Sequence, residues 1–302
     1  MDRREFFCWL RGGLAVAAAT SLIVRDGTAR AGGPLQFDPR EAGNMSEPKA
    51  DDRPSCLVLH GLGGGPYEMA PLTEALEAEG IRVLAPILPG HEGPGRVMPA
   101  SDWRDWASAS ESAFDQLAAE GRPVVVLGFS TGGTLALRLA TRRPVARLVL
   151  LAPFLAIRFS GLVPIRPASY LRRIARIIPD IPRRPPAVRD REVRRRVAGL
   201  AQFQTFSLRS TLSALELIEE VRRLVPEITT PTLILQGKRD TVVEPADALW
   251  LYRKIGANPK ALVVLPRSDH LIAYDRESDR AIAEALDFAL GRGVRFEGRE
   301  LP

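Results

Sequence analysis

Cysteine and histidine are scarce in this chain, two and three respectively among 302 residues. Cys8 and Cys56 alone cannot build a disulfide framework or a metal site, and Cys56, which opens an apolar run, reads as a small buried residue. No run of 18 apolar residues occurs, which excludes a multi-pass membrane protein. No self-similar period occurs either, which excludes a solenoid or propeller. A phosphate loop of the form G-x-x-x-x-G-K-S/T is also missing. The composition is otherwise globular, 45% hydrophobic and 26% charged, with apolar material enough for one large core.

The net charge of +6 suggests nucleic acid until its distribution is read. Residues 157–196 hold twelve arginines and six prolines against Asp180, Asp190 and Glu192, a net of +9. The chain after residue 31 nets +4, so everything outside that stretch nets −5. The positive charge is local and lacks aromatic interleaving, so no nucleic-acid partner is expected. Residues 157–207 read as a small helical cap inserted into a larger core. Its arginines have three readings: a solvated helical face, adhesion to an anionic membrane surface, or recognition of a substrate carboxylate or phosphate.

Residues 1–31 read as an export signal. Arg3-Arg4 precedes Phe6-Phe7, an apolar run covers 12–24, and Thr28-Ala29-Arg30-Ala31 supplies an A-x-A cleavage site. The paired arginines resemble the twin-arginine pattern, which implies a periplasmic or exported protein. A start at Met45 would remove the signal and leave a cytoplasmic chain. Residues 32–54 read as a linker.

From residue 55 the chain alternates short apolar runs with amphipathic stretches. The runs at 56–60, 82–87, 124–128, 148–152, 232–236 and 261–265 are mostly continuous Val, Ile and Leu, as buried parallel strands require. Helical patterns lie at 66–79, at 101–120 with Ser101 as its cap, at 131–141, along Leu208, Leu212, Leu215, Ile218 and Val221, at 245–255 and at 275–290. The alternation predicts a doubly wound α/β fold with a mostly parallel sheet, its core at 55–156 and 208–302.

The chemistry-bearing motif is Gly128-Phe129-Ser130-Thr131-Gly132. It follows one strand run and opens one helix pattern, the context a nucleophile elbow needs. Such a turn puts Ser130 at a helix N-terminus, where backbone N–H groups stabilise developing negative charge. His60-Gly61-Leu62-Gly63-Gly64-Gly65 follows the first strand and offers further backbone donors, so Leu62 and Thr131 are the candidate oxyanion-hole residues. Ser130 needs a base, and the base needs an orienting carboxylate. His270 is the one late histidine, and Asp240 ends the preceding strand pattern in Gly237-Lys238-Arg239-Asp240. The order Ser130…Asp240…His270 is that of a Ser-Asp-His hydrolase. Glu244 and Asp269 are the other candidate acids, and His91 reads as structural or pocket-lining. No metal or cofactor is implied.

His60-Gly61-Leu62-Gly63-Gly64, Leu88-Pro89-Gly90-His91, Gly128-Phe129-Ser130-Thr131-Gly132-Gly133, Gly237-x-x-Asp240 and Ser268-Asp269-His270 together resemble the α/β-hydrolase superfamily. Within it the chain is most similar to bacterial carboxylesterases and monoacylglycerol lipases of the serine-aminopeptidase-like group. The resemblance implies a small-molecule ester as substrate and hydrolysis through an acyl-enzyme on Ser130. It leaves thioesterase, amidase and peptidase activity, and a non-catalytic binding protein, as alternatives. The cap is longer and richer in arginine than that group's. Its Ile157, Phe159, Leu162, Val163, Ile165 and Tyr170 suit an acyl or aliphatic group.

Overall fold

The computed structural model describes residues 53–93, 95–156, 174–175, 177–201 and 203–292. The export signal at 1–31, nearly all of the linker at 32–54 and the six apolar cap residues named above lie outside the described residues.

The elements run β1 (Ser55–Leu59), α1 (Ala70–Ala78), β2 (Arg82–Leu84), α2 (Trp103–Ala118), β3 (Val124–Phe129), α3 (Thr131–Ala140), β4 (Arg147–Leu151), β5 (Asp180–Pro182), α4 (Arg191–Ala198), β6 (Thr205–Ser207), α5 (Leu208–Leu224), β7 (Thr232–Gly237), α6 (Pro245–Lys254), β8 (Lys260–Leu265) and α7 (Ser278–Ala289). Six strands form one sheet in the order β2-β1-β3-β4-β7-β8, and every pairing is parallel. Each of the six apolar runs is therefore a strand. The fold is the expected doubly wound α/β architecture with a parallel sheet.

The continuous runs are explained by burial on both faces. Along β1, Leu57 and Leu59 join one core cluster, while Cys56 and Val58 join the other. The first cluster holds α2, α3, α5 and α6 against the sheet through Trp106, Phe114, Leu137, Leu217 and Leu251. The second holds α1 and α7 through Leu72, Leu76 and Phe288. Each fully buried Leu or Val contributes about 1.5–3 kcal/mol, and the two clusters together outweigh any surface ion pair. Burial pushes the Cys56 thiol up to about 12, as an inert core residue requires. One partly buried ion-pair group adds to the first face. Arg138 on α3 reaches Glu111 on α2 at 2.6 Å and Glu220 on α5 at 3.0 Å.

Two local features differ from the expectations. Asp102, not Ser101, caps α2, accepting from the Arg104 N–H at 2.9 Å. Ser101 instead lies 3.3 Å from the Ser210 hydroxyl and accepts from the Trp106 indole at 3.1 Å, so its side chain is spent on tertiary contacts. The cap is not purely helical. Among its described residues, α4 is joined by the antiparallel pair β5–β6. That pair is three residues long on each side, too short to show as alternation in the sequence.

The strand order places the site. From β1 the chain steps outward to β2, then returns past β1 to β3. Loops leaving β1 and β3 thus diverge at neighbouring carboxyl ends, the crevice where open α/β sheets bind ligands.

Candidate active site

Ser130 sits between β3 and α3 with φ 52° and ψ −118°, in the left-handed region that non-glycine residues avoid. The surroundings hold it there. Its N–H donates to Leu151 O at 3.0 Å, and its own carbonyl accepts from Gly133, Thr134 and Phe154. A Cβ on Gly132 would lie 2.1 Å from Leu59 O, and one on Gly128 2.4 Å from Gly132 O. The glycines of the motif therefore let the turn press α3 against β1 and β3. Because the clash is with backbone, Gly132→Ala should cost about 3 kcal/mol, the upper end for overpacking. Urea unfolding measures this, and a midpoint equal to the parent's would contradict it.

His270 lies in the loop after β8 and connects the other two residues. Its Nε2 is 3.1 Å from Ser130 Oγ, and its Nδ1 is 2.8 Å from Asp240 Oδ2. The Phe129 ring packs beside the imidazole at 4.9 Å between centroids. Asp240 is wholly buried in the turn after β7. Its Oδ1 accepts from the Val242 and Val243 N–H groups, both at 2.8 Å, and its Oδ2 also accepts from the Gln236 amide at 3.0 Å. Every acceptor direction of the carboxylate is in use, which fixes its plane toward His270. Burial alone would raise the Asp240 pKa. The nearby imidazole and these N–H donors outweigh burial and hold it below the usual carboxylate range.

Of the competing acids, Asp269 is engaged elsewhere. Asp269 Oδ1 accepts from Thr241 N–H and hydroxyl, each at 2.8 Å, and from His270 N–H at 2.9 Å. It ties the β7 and β8 loops together and leaves the imidazole ring to Asp240. Glu244 stands at the start of α6 and makes no capping hydrogen bond with its side chain.

Leu62 and Thr131 occupy the loop after β1 and the first turn of α3. Neither backbone N–H donates to another group among the described residues. Their neighbours are braced. The buried His60 donates from Nδ1 to Gly61 O at 2.9 Å and accepts the Leu88 N–H on Nε2 at 3.1 Å. Burial and the adjacent His91 push the His60 pKa down to about 3, so it is neutral scaffolding. His91 stacks edgewise between His60 and Trp106, at 5.0 and 5.7 Å, and belongs to the same buttress.

Four further side chains at the site were not singled out by the sequence. Asp275 accepts the Asp269 N–H at 2.6 Å, and Glu277 accepts the Arg267 N–H and the Ser268 hydroxyl, both at 2.8 Å. They shape the His270 loop from within. Glu68 and Arg183 meet at the loop after β1. The only sequence cue was an acid, Glu68, soon after a glycine-rich run.

The sequence pattern of the family described as serine aminopeptidase, S33 (Hydrolase_4) matches residues 50–277. The chain belongs to that family. This S33-family chain is 28% identical over 235 residues to a thermostable monoacylglycerol lipase of Bacillus sp. (strain H-257), covering 77% of this chain and 88% of that protein. It is 31% identical over 226 residues to a pimeloyl-[acyl-carrier protein] methyl ester esterase of Aromatoleum aromaticum, covering 68% and 86%. Among solved structures, the monoacylglycerol lipase of Paleococcus ferrophilus superposes with a TM-score of 0.69 at 21% identity, over 80% of this chain and 97% of that one. At that identity the structural match establishes the shared fold.

Proposed function

We propose that the protein is a serine hydrolase of carboxylic esters, with Ser130, His270 and Asp240 as its catalytic triad. The observation that carries the reading is His270 bridging a strained, elbow-mounted Ser130 at 3.1 Å and a buried Asp240 at 2.8 Å. Relatives that act on ester bonds, by their names, support the ester class.

The mechanism follows from the geometry. His270 Nε2 takes the proton of Ser130 Oγ as the oxygen adds to the ester carbonyl. The Leu62 and Thr131 N–H groups hold the oxyanion. His270 returns the proton to the departing alcohol, which leaves an acyl-Ser130. Water then attacks with His270 again as base, and the acid departs. Asp240 keeps the proton on Nδ1, so that Nε2 faces Ser130 as an acceptor, and stabilises the imidazolium. The family's description names an aminopeptidase, so an aminoacyl substrate is the competing class. Its α-ammonium would need an uncommitted carboxylate, whereas Asp240, Asp269 and Glu68 are all committed to hydrogen bonds.

Hydrolysis of p-nitrophenyl esters with acyl chains from two to sixteen carbons tests the proposal, and the optimum measures the acyl pocket. Absence of turnover on the whole series would overturn it. Export through residues 1–31 is part of the same proposal. Cell fractionation of the full chain tests it, and recovery from the cytosol alone would refute it.

The pH dependence has a definite direction. Burial by itself would lower the His270 pKa, but the charge and hydrogen bond of Asp240, with Glu68 and Asp269 adding, raise it above the usual 6.5. Only the neutral imidazole accepts the Ser130 proton. The acidic limb of kcat/KM should therefore rise with pH through a midpoint above 6.5. A midpoint at or below that value would contradict the Asp240–His270 arrangement.

A further inference from the structure

Glu68 is a buried carboxylate with no part in the mechanism above. It sits in a 3-10 turn, Pro66–Met69, just beyond the loop that carries Leu62. The loop is wrapped around its carboxyl group. Gly61 N–H donates to Oε2 at 3.0 Å. A Cβ on Gly64 would fall 2.0–2.3 Å from the carboxyl atoms, so the carboxyl group occupies the room a side chain there would need. From inside the loop, Glu68 thus braces both sides of Leu62, by its bond to the Gly61 N–H and by packing against Gly64.

That arrangement raises an electrostatic problem. Burial pushes the Glu68 pKa up and Arg183 opposes that rise; in its ionised form a carboxylate behind an oxyanion hole repels the charge the hole exists to stabilise. The answer comes from the cap. Arg183, two residues into the segment that follows Ile181 of β5, points its guanidinium at this loop. Its Nη2 is 3.8 Å from Glu68 Oε1 and 3.2 Å from the Tyr67 hydroxyl, and its Nη1 donates to Gly63 O. The guanidinium packs 5.2 Å from the centre of the Phe206 ring, which itself covers Gly63. The Arg183 N–H bonds Gln204 O at 2.8 Å, so the cation is anchored in the cap.

The geometry points to Glu68 and Arg183 as a positioning pair for the oxyanion loop. Glu68 holds the Gly61 N–H from inside, and Arg183 holds the Gly63 carbonyl from outside while cancelling the Glu68 charge. Seating of the cap and competence of the oxyanion hole are thereby one event. Among the described residues, the other titratable groups whose charge acts on or feels Glu68 are Tyr67 on its own turn, His270 after β8, and Tyr274. None of these three supplies a permanent positive charge, so among the described residues the compensation rests on Arg183. This reassigns one cap arginine from the three readings offered by the sequence to a contact with the core.

The inference rests on the serine-esterase reading, and the test separates the two. Arg183→Met, Glu68→Gln and the double variant are compared with the parent on p-nitrophenyl butyrate. Active sites are counted by fluorophosphonate titration. Arg183→Met should lower kcat per active site tenfold or more, with KM within about threefold, because a displacement near 1 Å at a reacting centre costs about 10²-fold. The inhibition constant of a trifluoromethyl ketone, which forms an oxyanion on Ser130, should weaken by the same factor. The double variant should recover most of the lost kcat, since a neutral amide still accepts the Gly61 N–H and needs no cation. If Arg183→Met does not fold, Arg183→Lys takes its place. It keeps the charge without the fork, so kcat should fall less than tenfold and the ketone constant should rise in step with that fall. Loss confined to the number of titrated sites, with kcat and the ketone constant unchanged, would overturn the pair. A parent enzyme that neither turns over the ester nor takes the fluorophosphonate would instead overturn the esterase reading.

Discussion

Ser130→Ala should lower kcat on p-nitrophenyl esters by about 10⁶-fold, the scale seen when a triad serine is lost elsewhere. Its removal takes away the oxygen that now stands 3.1 Å from His270 Nε2. Binding should survive, because the N–H groups of Leu62 and Thr131 belong to the backbone. The same position offers a stability readout. At φ 52° any side chain is strained, and the cost of such a residue is about 1–3 kcal/mol. Ser130→Gly should therefore be as inactive as Ser130→Ala and about 1 kcal/mol more stable than the parent in urea unfolding. An inactive but no more stable glycine variant would mean the elbow holds no strain. An active alanine variant would remove Ser130 from the mechanism altogether.

Asp240→Asn should cost about 10⁴-fold in kcat with little change in the fold. The asparagine oxygen can still accept the Val242 and Val243 N–H groups that now bond Oδ1. Its amide, however, would donate to His270 Nδ1 where Oδ2 now accepts. That forces the proton onto Nε2, and the face toward Ser130 changes from acceptor to donor. The acidic limb of the pH profile should move down at the same time, because Asp240 is the leading group that raises the His270 pKa. Activity within tenfold of the parent would return Asp269 and Glu244 to candidacy. Asp269→Asn is the control. It should disturb the Thr241 contact and the loop packing without reversing the tautomer.

Much of this was legible because it is local. Ser130 and its flanking glycines form one short turn, and backbone clashes of 2.1 and 2.4 Å leave only glycine at positions 132 and 128. Most of the strands announced themselves because burial, complete along β1, β3 and β7, favours near-continuous apolar runs. The less legible parts were short or non-local. Strands β5 and β6 pair for three residues each, below the length at which alternation shows. Ser101 lost its capping role to Asp102 through a bond to Ser210, 109 residues away.

The sequence by itself determined the layered fold, the elbow, and the chain order of serine, aspartate and histidine, since periodicity and tight-turn sterics act over a few neighbours. It left three acids as rivals for one imidazole. Only the tertiary structure sets which acid meets the ring, by directing Asp269 to Thr241 and Asp240 to His270 Nδ1. It alone also brought Arg183 across 120 residues to the Gly63 carbonyl and the Glu68 carboxylate. The physical reason is that a hydrogen bond or ion pair between loops from separate strands depends on how the sheet aligns those strand ends, and no local pattern encodes that alignment.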